Sequence, residues 1–302
     1  MRAVSLHPDV LLVTSALLHL NCLVVRGTND DEEAGAADGG TPVAVTQHGP
    51  GVAPGSARSG GGGETFVIDS PVLPDELDAL PALVAQARFP EVSGLLATHA
   101  DWDHLLARIA FPSLALGCAE SSARRLAAEP GAAQRVLREF DEELYIERRT
   151  PLALGSLQGL PVPGHLEIGA RQLDLHPTGG HTPDGMAIHI GWAGVLAVGD
   201  YLSPIEIPML NEGGSVAEYE ATLATLEPLL LDDEDDSRCI QHVVPGHGPE
   251  IDVRRARVVL EEDRTYLAAL VADGERAALP AGRQGREQRR LHAENVKRLA
   301  AA

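Results

Sequence analysis

Residues Thr98 to His104 read T-H-A-D-W-D-H, and the other motifs of the chain take their meaning from this stretch. An apolar, strand-like run, Val92 to Ala97, leads into it. His99, Asp101, Asp103 and His104 then place four metal-competent side chains within six residues. Two imidazoles and two carboxylates crowded past a strand end would repel or desolvate one another if buried without a partner, and a cation relieves both problems. A donor set of His and Asp suits zinc, iron or manganese. The plain alternative is a polar loop with a helix cap, because D-x-D-H can also begin a helix.

Three later segments weigh on the side of the metal. They are T-G-G-H-T-P-D-G (Thr178 to Gly185, with His181), A-V-G-D-Y (Ala197 to Tyr201, with Asp200) and V-V-P-G-H-G-P (Val243 to Pro249, with His247). Each follows or ends a short apolar run, as loops at one edge of a sheet would. In this order the motifs resemble those of the metallo-β-lactamase-fold hydrolase superfamily: H-x-H-x-D-H, a G-H-T turn, a bridging Asp in a G-D pair, and a late G-H. The resemblance runs from about Leu11 to the helix after His247. One position departs from the pattern, since Asp101 stands where the family has its second His. Competence-type DNA-processing domains (Asp) and diiron flavoproteins (Glu) are similar in carrying an acid there.

The resemblance implies an α/β (α+β) fold of the four-layer αββα sandwich type, with metals at one edge of the sheets. It implies two divalent ions, zinc first, with iron or manganese as alternatives. Metal one would take His99, Asp101 and His181; metal two would take Asp103, His104 and His247; Asp200 would bridge. Asp101 could instead stand behind the ligands. Asp103 would also orient the attacking hydroxide, which makes it the candidate catalytic residue. The implied activity is hydrolysis of an ester, thioester, lactone, amide or phosphoester bond by a metal-held hydroxide. No G-x-S-x-G, serine triad or P-loop offers a competing nucleophile. Two other classes remain: a non-haem diiron oxidoreductase, although no flavin-binding region follows His247, and a metal-bound, non-catalytic binding protein. A third carboxylate at position 101 should also weaken the pull on bound water and move metal preference from zinc towards manganese or iron.

Composition narrows the partners. The chain has 302 residues, 44% hydrophobic and 23% charged, enough to bury a sizeable core built mainly of Leu, Val, Ile and Ala, because aromatics are only 3%. A net charge of −20 argues against a broad nucleic-acid surface and against docking on an anionic membrane, so a small-molecule substrate is the expected partner. Cys22, Cys118 and Cys239 form no C-x-x-C pair, which predicts reduced thiols in a cytoplasmic protein. The apolar stretch Val10 to Val25 imitates a signal peptide, and L-H-L-N-C a lipid-attachment site, but His7, Asp9, His19 and Asn21 interrupt it. It is read instead as two opening strands, Asp9 to Thr14 and Leu18 to Arg26.

The remaining elements follow from periodicity. A single domain is expected over 1–302, with a Gly-rich insertion at 27–63 too poor in apolar residues to order itself and a helical tail at 280–302. Strands are expected at Glu64–Asp69, Ser113–Leu116, His165–Ile168, Gln172–His176, Met186–Ile190, Val195–Val198 and Cys239–Val244. Helices are expected at Asp75–Arg88 (started or broken by Pro81), Ser121–Ala128, Ala132–Glu143, after the capping box Ser215–Glu218, after Val253, and at Glu287–Leu299. The acidic run Asp232–Asp236 reads as a solvated loop. The loop Tyr201–Gly214 should line the cleft, where Ile205, Ile207 and Met209 would meet an apolar part of the substrate or pack the loop. His7, His19, His48, His165, His176, His189, His242 and His292 belong to no ligand pattern.

Overall fold

The structure is a computed structural model that describes residues 1–28, 63–231 and 239–301. Of the expected insertion 27–63 only Gly27, Thr28 and Gly63 are among them; the rest of it, with His48, and the acidic run 232–236 lie outside the described residues. The chain divides into two compact units, Met1–Leu175 and His176–Ala302. Each has its own apolar core.

The first unit is built on a seven-stranded sheet whose strand order follows the sequence. Strands β1 (Arg2–His7), β2 (Val10–Thr14), β3 (Asn21–Gly27) and β4 (Glu64–Ile68) form an antiparallel meander. From β4 the sheet turns parallel, through β5 (Val92–Leu96), β6 (Leu116–Ala119) and β7 (Leu157–Leu160). Parallel neighbours need a crossover. Helix α1 (Pro74–Gln86) lies between β4 and β5, α2 (Ala107–Ala110) between β5 and β6, and α3 (Glu120–Ala128) with α4 (Ala132–Leu144) between β6 and β7. The hairpin β8 (Gly164–Ile168) and β9 (Arg171–Pro177) follows.

Several boundaries differ from expectation for local reasons. Strand β3 starts at Asn21 rather than Leu18, because Leu18 and His19 take left-handed φ values of 59° and 49°. Strand β6 runs from Leu116 to Ala119 instead of Ser113 to Leu116; the apolar run there has no alternation to set its ends. Pro81 neither starts nor breaks α1 but sits inside it. It lies on the exposed side, while Leu77, Leu80 and Val84 bury the opposite face, so packing outweighs a proline cost of about 3 kcal/mol. Strands β1 and β7 had no sequence signal: β1 is an edge strand exposed from Arg2 to Ser5, and β7 is the short L-Q-G-L, of which only Leu160 is buried.

In the second unit β10 (Met186–Ile190) pairs antiparallel with β11 (Val195–Gly199), and β11 pairs parallel with β12 (His242–Pro245). Strand β12 is shorter than the expected Cys239–Val244 and shifted towards its loop. Helix α5 (Val216–Leu226) supplies the crossover between the parallel pair. Ser215 caps it as expected, its hydroxyl accepting from the Glu218 N–H at 3.2 Å. Tyr219, Leu223 and Leu226 bury one face of α5, and Val253, Ala256, Leu260, Leu267 and Leu270 do the same for α6 (Val253–Asp273). The Arg-rich tail forms α7 (Arg286–Ala301), held by buried Leu291 and Asn295. Among the described residues no helix is long and apolar enough to cross a membrane.

Candidate metal centre

In the first unit the sheet edge that matters is where the parallel strands end. Ile68 of β4 lies opposite Leu96 of β5, so the residues after both strands emerge side by side. That brings Asp69 to Thr98 and His99, at the carboxyl ends where open α/β sheets place their ligands. Asp69 has a left-handed φ of 57°, a conformation aspartate tolerates, and its carboxylate accepts from the Thr98 N–H at 2.8 Å and the Thr98 hydroxyl at 2.9 Å.

The four residues of T-H-A-D-W-D-H stand together as the sequence predicts. A short 3₁₀ turn, Trp102–Leu105, starts where the His104 N–H donates to the Asp101 carbonyl at 3.1 Å. Trp102 anchors it on Phe140 of α4, with ring centroids 4.5 Å apart. The Ser70 hydroxyl donates to the Asp103 carbonyl at 2.8 Å and accepts from the Leu106 N–H at 3.1 Å, which pins the turn from below. The buried rings of His99 and His104 lie 4.0 Å apart, centroid to centroid. His104 Nδ1 is 3.0 Å from Asp69 Oδ2, so the proton sits on Nδ1 and Nε2 is turned towards Asp103, 4.0 Å from its Oδ2. His99 Nε2 is 3.8 Å from Asp101 Oδ2.

The second unit gathers the other three at one edge as well. Gly199, at the end of β11, pairs with Pro245, at the end of β12, and the Gly246 N–H donates to the Gly199 carbonyl at 2.6 Å. Asp200 and His247 follow directly. His181 precedes β10, whose start lies at that same edge because β10 runs antiparallel to β11. Asp200 offers one oxygen to each imidazole: Oδ2 lies 3.2 Å from His181 Nε2, and Oδ1 lies 3.5 Å from His247 Nε2.

Residues around this cluster fix its geometry. His181 Nδ1 faces the Met209 carbonyl at 2.9 Å and therefore carries its proton there. The Tyr201 hydroxyl accepts from the His181 N–H at 3.0 Å and donates to the Gly179 carbonyl at 2.5 Å. Burial pushes that hydroxyl's pKa well up, so it keeps the proton it donates. The Ser203 hydroxyl donates to the His247 carbonyl at 2.8 Å. Asn295 of α7 accepts from the Leu210 N–H at 2.8 Å and donates to the Pro208 carbonyl at 2.7 Å, bracketing Met209. Ile207 is buried in the core and Met209 packs against it, and both also line a small pocket with His181 and Asp200.

Both clusters have the chemistry a divalent cation needs. With Nδ1 protonated on a fixed acceptor, His104 and His181 each present the lone pair of Nε2 towards a carboxylate. Two acceptors facing each other repel unless a metal ion or a second ring proton lies between them, and an imidazole whose other nitrogen is held this way is the usual metal-ligating form. His99, Asp101, Asp103, His104, His181, Asp200 and His247 are all among the side chains able to contribute to a metal group. Other described histidines engage elsewhere: His7 beside Asp9, His242 on Glu250, and His292 on Tyr266.

Sequence reasoning missed Asp69, Tyr201 and Asn295. Asp69 had a signal, the carboxylate ending the V-I-D strand; the other two had none, because they act on His181 from positions distant in sequence. If this cluster holds a divalent metal, Asp69→Asn should weaken its binding by about tenfold or more. Its amide would meet the His104 Nδ1–H with a donor and push that proton onto Nε2. Competition against a chromophoric chelator measures this, and unchanged affinity would remove Asp69 from the role. A second expectation concerns Gly180, whose φ is 106° and where a Cβ would lie 2.0 Å from the Tyr219 nitrogen. Gly180→Ala should cost about 2 kcal/mol or more, read from the denaturant midpoint, since both the conformation and the close approach exclude a side chain.

No family model and no curated protein matches the sequence. Solved structures do match. A metallo-β-lactamase family protein from Thermus thermophilus is 20% identical, covering 89% of this chain and 85% of that one with a TM-score of 0.58. A β-lactamase domain protein from Burkholderia ambifaria is 19% identical, covering 90% and 78% with a TM-score of 0.55. A metallo-β-lactamase from Pontibacter korlensis is 15% identical, covering 86% and 98% with a TM-score of 0.54. Likeness at such low identity speaks to architecture, and with the ordered motifs it leads to one conclusion: this chain has the metallo-β-lactamase fold.

Proposed function

We propose that this protein is a metal-dependent hydrolase acting on a small molecule through an ester, thioester, lactone, amide or phosphoester bond. The observation that carries the reading is Asp200, whose two carboxylate oxygens face two different imidazoles, as a carboxylate shared between two ions would. The order of the motifs and the fold support it. On this reading His99, Asp101 and His181 hold one ion, Asp103, His104 and His247 hold the other, and Asp200 serves both. Zinc is the first candidate for both ions, with iron or manganese as alternatives. Bound divalent cations would lower the pKa of coordinated water towards neutrality and polarise the substrate oxygen. The chain's own residues keep the donors in place: Asp69 and the Met209 carbonyl set the tautomers of His104 and His181, and Asp103 is the carboxylate assigned to orient the attacking water and take its proton.

Metal analysis of protein purified without added zinc, followed by a screen over lactones, thioesters, phosphodiesters and β-lactams, tests the proposal. About two divalent ions per chain and a chelator-sensitive turnover on one of these classes are expected. Iron with a visible-region absorbance and redox activity would point to an oxidoreductase instead. Bound metal without turnover on any class would point to a binding protein.

A further inference from the structure

The departure at position 101 has a partner. Arg125, on α3, places its guanidinium Nη2 2.8 Å from Asp101 Oδ1, while Asp101 Oδ2 faces His99 Nε2 at 3.8 Å. The topology explains how they meet. Leu96 of β5 pairs with Gly117 of β6 in parallel, so both strands end at one edge. Helix α3 starts directly after β6, and a long side chain from its second turn reaches back to the loop after β5. The contact is partly screened from water, with side-chain exposures of 25% for Arg125 and 14% for Asp101.

We propose that Arg125 is the positioning residue that lets an aspartate stand in for histidine at position 101, an inference that rests on the metal reading above. A carboxylate differs from an imidazole in two ways that matter to a cation: it has two donor oxygens, and it carries a charge. Arg125 cancels both differences. It occupies Oδ1, leaving a single oxygen on the side of His99, and its positive charge offsets the carboxylate's own. The extra anion that the sequence alone would assign to this position is therefore compensated within the first unit. The shift away from zinc expected from that anion is reduced accordingly.

Removing Arg125 then has two opposed consequences. The carboxylate loses its anchor and can rotate or chelate differently, which weakens metal binding. A positive charge near the cation also disappears, which strengthens it. With aspartate at 101 the lost anchor dominates; in the Asp101→His background only the charge remains. Zinc affinity is measured by competition with a chromophoric chelator for the full chain, Arg125→Ala, Arg125→Lys, Asp101→His and the double variant Asp101→His/Arg125→Ala, with melting curves in chelator to establish folding. Arg125→Ala should weaken zinc binding roughly tenfold with Asp101 present. In the Asp101→His background the same change should leave affinity unchanged or tighter. Arg125→Lys, which keeps the charge but loses the planar fork, should fall between parent and alanine variant. An equal loss in both backgrounds, or no loss with Asp101 present, would overturn the proposal while leaving the metal reading intact. A parent chain that binds no zinc, iron or manganese would overturn both.

Discussion

On the proposed two-metal reading, Asp200→Asn is expected to lower turnover by about 10³-fold, with bound metal falling from two ions per chain towards one or none, since metal electrostatics are worth several kcal/mol and each 1.36 kcal/mol is a decade in rate. The carboxylate faces both His181 and His247, one oxygen to each. An asparagine keeps the shape but presents a single oxygen, and its amide nitrogen turns N–H donors towards whichever imidazole it meets. The backbone should not notice. The Asp200 carbonyl, which accepts from the Tyr219 hydroxyl at 3.3 Å, is unchanged, so the metal-free melting temperature should hold. Metal content by elemental analysis and kcat on the best substrate of the screen decide the matter. Full metal content with turnover within about tenfold of the parent would show that Asp200 shares nothing between ions.

Asp103→Asn should reduce turnover by about 10²-fold or more, the scale for losing a positioned acid–base group. The loop itself protects the fold: the Ser70 hydroxyl holds the Asp103 carbonyl, not its side chain, and the turn Trp102–Leu105 is anchored by Trp102 on Phe140. The substitution therefore removes charge and basicity and leaves the turn in place. Because Asp103 Oδ2 is 4.0 Å from His104 Nε2, some loss of metal affinity should accompany the rate effect. Titrating activity against added metal separates the two. A rate restored fully by saturating metal would make Asp103 a ligand alone, and near-normal turnover without added metal would take it out of the mechanism.

The candidate ligands and their order could be read from the letters alone. His99, Asp101, Asp103, His104, His181, Asp200 and His247 were legible because each sits in a short motif whose glycines or apolar run mark a strand end. The structure gathers the first four in one unit and the last three in the other. Helices with caps or strong periodicity were legible too, such as α5 behind Ser215 and α6 with its buried stripe. Edge and short strands were not: β1 and β7 bury too little to leave a pattern. The partners of the ligands depend on the folded chain. Asp69 reaches His104 across 35 residues of sequence only because β4 and β5 are parallel and end together. Asn295 supports His181 through the Met209 carbonyl only because α7 folds back onto the loop after β11. Arg125 meets Asp101 because β5 and β6 end at one edge, which sets a guanidinium beside that carboxylate. The identity of the candidate ligands is local chemistry, written in neighbouring letters. Ligand orientation, tautomer and charge balance are set by groups that only the sheet register brings within reach.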